Sequence, residues 1–252
     1  MKHFLRLLFA FSIVFSPIVS FAEPTDPDAQ FKLGEMYYYG NGVQQDYQKA
    51  IEWYEKAAVQ GHDRAQFSLG VIFKNGEGVQ QDYRKAVEWY EKAAVQGNGY
   101  AQNNLGRSYY YGQGVQQDYR KAFELYEKAA LQGYPNGQYN LGVMYKNGYG
   151  IQKDYQKAIE WYEKAAAQGY VDAQYNLGVT YYNGNGVQQD NLKAIEWFKK
   201  AASQGNAEAQ YNLGVIYDIG AGVQQDSLKA KEWFGQSCEN GLQLGCDEYK
   251  KE

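Results

Sequence analysis

The chain has 252 residues, with 29 carboxylates set against 25 lysines and arginines, a formal net charge of −4. A mildly acidic chain has no general attraction for nucleic acid or for an anionic membrane surface, which argues against both as partners. Its 26 tyrosines and 28 glycines, with only four prolines, call for a structural explanation that the repeats described below supply.

In chain order, residues 1–22 read as an export leader. Lys2, His3 and Arg6 form a basic start, Leu7 to Phe15 is a short apolar run, and Ser20 and Ala22 put small residues at the −3 and −1 positions of a cut after Ala22. The run is short for a transmembrane helix, and no later stretch is apolar enough to span a bilayer. No cysteine lies near the cut, which disfavours a lipid-anchored form. Once Lys2 and Arg6 leave, 29 carboxylates face two fewer cations, a net −6. The mature protein is therefore expected outside the cytoplasm, periplasmic or secreted.

Residues 23–28 form a short linker or cap, and then the sequence repeats. The unit Ala29 to Arg64 recurs at 65–100, 101–136, 137–172, 173–208 and 209–244 without insertion or deletion, giving six units of 36 residues. Each unit predicts two short helices. Helix A runs from about Ala29 to Tyr39, with Ala29, Leu33 and Tyr37 on one face at i, i+4 and i+8. Gly40, Asn41 and Gly42 end it as a turn. Asp46 is read as the N-cap of helix B, which runs to about Gln60 and buries Ala50, Trp53, Tyr54 and Ala57. Glu52 and Lys56 stand in the favourable i, i+4 order and recur along the chain, so they read as a solvated ion-pair face. Gly34 recurs in every unit in mid-helix, where glycine costs about 1 kcal/mol against alanine. A cost repeated six times predicts a close approach of helix B.

The pattern A-Q-x-x-L-G-x-x-Y, G-x-G-V-x-x-D, K-A-x-x-W-Y-x-K-A-A, Q-G resembles the Sel1-like repeat, a relative of the tetratricopeptide repeat, over all of 29–244. The resemblance implies an all-α fold: an α/α solenoid, a right-handed superhelix of six helix–turn–helix repeats. It also implies an adaptor or scaffold, with exported bacterial members linked to the cell envelope or to host contact.

Cys238 and Cys246 are the only cysteines. In an exported chain they are expected to form a disulfide, the alternative being two buried thiols. Their spacing joins the end of one helix B to the start of the next helix A, as in the resembling Helicobacter cysteine-rich proteins. The bridge would staple the terminal segment 245–252, a polar cap with no helix B to cover it.

Helix A has a second face, comprising Phe31, Glu35, Tyr38 and Tyr39 in the first unit. By resemblance to tetratricopeptide proteins it lines a concave groove, and it varies most among the units. The Tyr38 register reads Tyr38, Lys74, Tyr110, Lys146, Tyr182 and Asp218, and is expected to be solvent-exposed. The Phe31 register reads Phe31, Phe67, Asn103, Tyr139, Tyr175 and Tyr211; these rings either face a partner or pack against the neighbouring repeat. The Glu35 register brings in Arg107 among valines. The candidate partner-binding set is therefore Tyr38, Lys74, Tyr110, Lys146, Tyr182, Arg107, Tyr139 and Tyr175. A mixed surface of tyrosines and cations suits an extended peptide, a protein segment or a glycan.

Catalysis finds little support. Some members of the resembling family have been linked to β-lactam binding or hydrolysis, but no serine here has lysine three residues later, and Ser227 with Lys229 has the wrong spacing. His62 is the one histidine beyond the leader, too few for a triad or a His-rich metal site, and it reads as an exposed turn residue. The Gly40-Asn41-Gly42 loops follow a helix and lack the lysine of a phosphate cradle. The sequence thus predicts a monomeric, cofactor-free, extracytoplasmic module that binds a protein, peptide, cell-wall glycan or host protein. A peptidoglycan- or β-lactam-directed cell-wall protein is the alternative, and a passive spacer is a third.

Overall fold

The structure, a computed structural model, describes residues 23–251; the leader expected over 1–22 lies outside the described residues. Thirteen helices and no strands occur among the described residues. The first helices of the six repeats are α1 (Pro27–Tyr39), α3 (Asp63–Asn75), α5 (Gly99–Tyr111), α7 (Pro135–Asn147), α9 (Val171–Asn183) and α11 (Ala207–Ile219). The second helices are α2 (Tyr47–Val59), α4 (Tyr83–Val95), α6 (Tyr119–Leu131), α8 (Tyr155–Ala167), α10 (Asn191–Ala202) and α12 (Ser227–Glu239), and α13 (Gln243–Tyr249) closes the array. Each helix packs on the next in sequence, the pattern of an all-α solenoid. Successive first helices also touch, as α5 does α7 and α9 does α11, which puts the first helices on the inner side of the stack.

The local signals act largely as read. Asp46 caps α2 by accepting from the Lys49 N–H at 3.1 Å, and the same aspartate recurs before every second helix. Gly40 ends α1 with a positive φ of 72°, where an L side chain would be strained. The helix start differs: α1 begins at Pro27, two residues before Ala29, because Asp26 accepts from the Ala29 N–H and Pro27 fits the first turn.

His62 is not an exposed turn residue. It is the N-cap of α3: its Nδ1 accepts from the Ala65 N–H at 3.1 Å, and its ring stacks on Phe31 at 4.6 Å. Nε2 stands 3.0 Å from Asp28 Oδ1, and the side chain is only 10% exposed. Nδ1 must therefore be the unprotonated nitrogen and Nε2 the donor.

The repeated mid-helix glycine has the expected cause, in a sharper form. A β-carbon on Gly34 would stand 2.5 Å from Tyr54 Cδ1, and its equivalents face Tyr90, Tyr126, Tyr162, Phe198 and Phe234 in the same way. An aromatic ring of the second helix lies against the glycine, and alanine would displace it.

Two expectations for the second helix are corrected. Its buried face is Ala50, Ile51, Tyr54, Ala57 and Ala58, whereas Trp53 is half-buried. The recurring Glu52–Lys56 pairs are not ion pairs among the described residues. Lys56 instead lies over the Trp53 ring at 3.9 Å, and Lys92, Lys164 and Lys200 do the same over Trp89, Trp161 and Trp197. The flat ring one turn back offers the ammonium a face and covers its apolar stem, which a solvated glutamate cannot.

From α3 to α11, a buried glutamine in each first helix joins successive repeats. Gln66 donates Nε2–H to the Ala58 carbonyl at 3.0 Å, while its Oε1 accepts from Gln96 Nε2 at 2.7 Å. Gln102, Gln138, Gln174 and Gln210 repeat the arrangement. One amide thus ties three consecutive helices, with both ends satisfied where water is excluded. Cys238 and Cys246 hold the next positions of the Ala58 and Gln66 registers, and there they form a disulfide with Cα atoms 4.4 Å apart. The covalent bond joins α12 to α13 where the Gln66–Ala58 hydrogen bond joins α2 to α3.

Candidate functional site

The inner face is built from first-helix residues that lie beside the glycine–aromatic seam. In the Phe31 register the rings lean on the second helix of their own repeat. Phe31 lies 5.5 Å from Tyr54, Phe67 6.0 Å from Tyr90, Tyr139 5.8 Å from Tyr162, and Tyr175 6.0 Å from Phe198. Phe31 is buried, while Phe67, Tyr139, Tyr175 and Tyr211 keep part of one face open. Tyr139 also packs 5.1 Å from Tyr170, at the cap of the next first helix. These rings are therefore both packing and surface.

Members of the Tyr38 register are half-buried, except the exposed Asp218. Tyr38 donates its hydroxyl to Glu77 Oε2 at 2.6 Å, and Glu77 is in the turn of the next repeat. Tyr110 meets the equivalent residue, Tyr149, at 5.6 Å and also packs 5.3 Å from Tyr119. Lys146 donates to Asn176 Oδ1 at 3.2 Å, one repeat on. A side chain at this position reaches the next repeat, which explains why it does not stand free in solvent. Lys74 is half-buried in the same row; burial lowers its pKa, and the nearby Arg107 guanidinium adds to the effect.

Burial governs the tyrosine hydroxyls as well. Tyr110 is pushed up to about 12, first by desolvation and then by Tyr149, and Tyr139 reaches about 12, first by desolvation and then by Asp172. Tyr175 is also raised, chiefly by desolvation. The phenols therefore stay neutral hydrogen-bond donors over the physiological range.

Among the recesses that open between successive first helices, two gather more than one residue of the sequence-predicted set. One, of about 290 Å³, lies between the third and fourth repeats and brings together Arg107, Tyr110 and Tyr139 of the sequence-predicted set. The other, of about 260 Å³, lies between the fifth and sixth and brings together Tyr175 and Tyr182. Tyr38 lines a smaller hollow near the start of the stack. Lys74 and Lys146 line neither of the first two recesses. Sequence reasoning missed Asn103, Asn136 and Asn140, which supply the amides of the first recess, and Asp172 on its rim. The available signal was Asn103, the one non-aromatic residue in the Phe31 register.

Among the described residues no group of acidic, histidine or cysteine side chains could hold a metal ion, and no helix is long and apolar enough to cross a membrane.

Comparison with known proteins accords with this architecture. The structure is similar to that of c5321, a protective antigen present in uropathogenic Escherichia coli strains and displaying an SLR fold. The two are 39% identical with a TM-score of 0.84, over 89% of this chain and 48% of that one. A Sel1 repeat protein from Oxalobacter formigenes is 38% identical with a TM-score of 0.79, over 88% of this chain and 64% of that one. The chain thus spans between about half and two thirds of the length of these two structures. No curated protein matches it. The Sel1 repeat model matches residues 27–62, 63–98, 99–134, 135–170, 171–206 and 207–242, each span opening with one of the first helices described above. With six consecutive matched repeats, the chain belongs to the Sel1-repeat family.

Proposed function

We propose that this protein is an extracytoplasmic interaction scaffold that holds an extended protein segment along its inner face, acting as a single chain. Sel1-repeat proteins generally mediate protein–protein interaction, and the uropathogenic relative is described as a protective antigen. One observation carries the reading. The seams that build the stack repeat almost unchanged, whereas the inner face changes from unit to unit and opens into recesses lined by aromatic rings and polar groups. A surface of rigid rings with hydroxyl and cationic neighbours binds at little entropic cost. Export is supported by the leader composition of residues 1–22 and by the Cys238–Cys246 disulfide, which suits an oxidising compartment. The reading assigns no catalytic step.

The test is site-specific photocrosslinking in the native cell. A crosslinker replacing Tyr182 on the inner face should trap a defined protein, and one replacing Glu160 on α8 should not. Equal trapping at both positions, or none at Tyr182, refutes the assignment. Alanine at Tyr110, Lys146 and Tyr182 together should abolish co-purification of the same protein with the otherwise unmodified chain.

A further inference from the structure

The third repeat breaks the inner-face pattern twice at neighbouring positions. Where five units carry an aromatic ring, it has Asn103; one turn on, where four units have valine, it has Arg107. The two residues stand i, i+4 on α5 and so share a face. Where the ring is missing, the space beside the still-buried Tyr126 becomes the recess of about 290 Å³, lined by Asn103, Arg107, Tyr126, Asn136, Tyr139 and Asn140.

The polar groups in this recess are poised and not consumed. Asn103 is only 6% exposed; its Oδ1 accepts from Asn140 Nδ2 at 2.8 Å, and its own Nδ2–H groups have no acceptor among the described residues. Arg107 is exposed and has no carboxylate within ion-pair distance among the described residues. Lys74 and Lys146, in the flanking repeats, likewise have none, and Arg107 is close enough to Lys74 to disfavour its charge. Three unpaired cations thus occupy the middle of the inner face of a chain whose net charge is −4.

We infer that this recess is a carboxylate pocket: it takes one aspartate or glutamate side chain of the extended segment, with Arg107 gripping the carboxylate and Asn103 donating to it from the floor. The assignment rests on the inner face being the binding surface. Arginine's fixed fork matches a carboxylate with two parallel hydrogen bonds, and a half-enclosed site strengthens them. Asp172, on the rim supplied by α9, sets the limit at one acid. It repels a second carboxylate and accepts a peptide N–H, so the guest is an acidic residue in an otherwise neutral stretch.

The repeats themselves provide the variants, since Arg107→Val and Asn103→Tyr each install a residue that other units carry at that register. The experiment selects binders to the intact chain from a displayed library of random peptides of about twelve residues. Selected peptides should share one acidic position, and its change from Glu to Gln should weaken binding roughly ten- to a hundredfold, the range for a charge-assisted hydrogen-bonded pair. Arg107→Val and Asn103→Tyr, with circular dichroism unchanged, should each erase the difference between the Glu and Gln peptides. Peptides that bind without an acidic preference, or a preference that survives both variants, overturn the pocket and leave the inner-face reading standing. Failure to select any peptide overturns both. Acidic oligosaccharides that bind at Arg107 more tightly than the selected peptides overturn the pocket's assignment to a protein segment.

Discussion

The third and fourth repeats have the same frame and opposite inner faces. In each, a mid-helix glycine receives an aromatic ring of the second helix, Gly106 with Tyr126 and Gly142 with Tyr162. In the fourth, Tyr139 packs on that ring at 5.8 Å and Val143 follows; in the third, Asn103 and Arg107 take those places and a recess opens beside the buried ring. The helix pairs nevertheless pack alike. The seam therefore bears the stability, and the inner-face positions are released to carry chemistry.

Several measurements break or sharpen this comparison. The largest effect is expected from alkali. Burial raises the folded pKa of Tyr90, Tyr126 and Tyr162 above the unfolded value of 10.0, and takes Tyr139 to about 12. The folded state then holds these protons more tightly. Its stability is fully present below about pH 10 and is lost as pH rises through the folded values. Thermal melts across that range should fall together with the appearance of tyrosinate absorbance. Tyrosinate forming in a chain with intact helicity would contradict it.

Next comes removal of the seam ring. Tyr162→Ala should cost about 3–5 kcal/mol by urea denaturation, the usual range for an aromatic truncated to alanine in a core. Tyr126→Ala should cost about 0.5–1.5 kcal/mol less, because that ring has no aromatic partner on its first helix. Equal losses would show that the Tyr139–Tyr162 contact adds nothing beyond area.

The terminal unit extends the contrast, because there a covalent bond replaces the amide tie. Cys238→Ser with Cys246→Ser should cost about 2–3 kcal/mol, the loop-closure value for a short ring. The loss should appear first as faster hydrogen exchange in α13, with α5 and α7 unaffected. Gly142→Ala should destabilise by about 1–3 kcal/mol through overpacking, since the added carbon would stand 2.7 Å from Tyr162 Cδ1. Gly106→Ala, with 2.8 Å to Tyr126 Cε1 and an open recess beside the ring, should cost less.

The smallest expected effect has the opposite sign. The hydroxyls of Tyr90 and Tyr162 are buried without a hydrogen-bond partner, whereas the fifth and sixth repeats use Phe198 and Phe234 at that register. Tyr162→Phe should therefore stabilise by about 1 kcal/mol, the order of the penalty for an unpaired buried hydroxyl. A lower melting temperature would mean that a water satisfies the group.

Much of this was legible in the sequence because a repeat averages its own signal. Six copies of Gly34, Asp46 and the Gly40 turn fixed helix number, caps and the close helix–helix seam, each through backbone rules that depend on a few neighbours. The pairing of Cys238 with Cys246 was expected because they are the only two cysteines of a chain read as exported. Tertiary structure alone decided what depends on direction in space. It placed Lys56 over Trp53 instead of beside Glu52, turned His62 inward as a cap against Phe31, and leaned Tyr38, Tyr110 and Lys146 onto the next repeat. It also showed that Asn103 and Arg107, visible only as irregularities in two separate columns, open one recess. Spacing names the face a side chain leaves from, but only packed neighbours determine where it comes to rest.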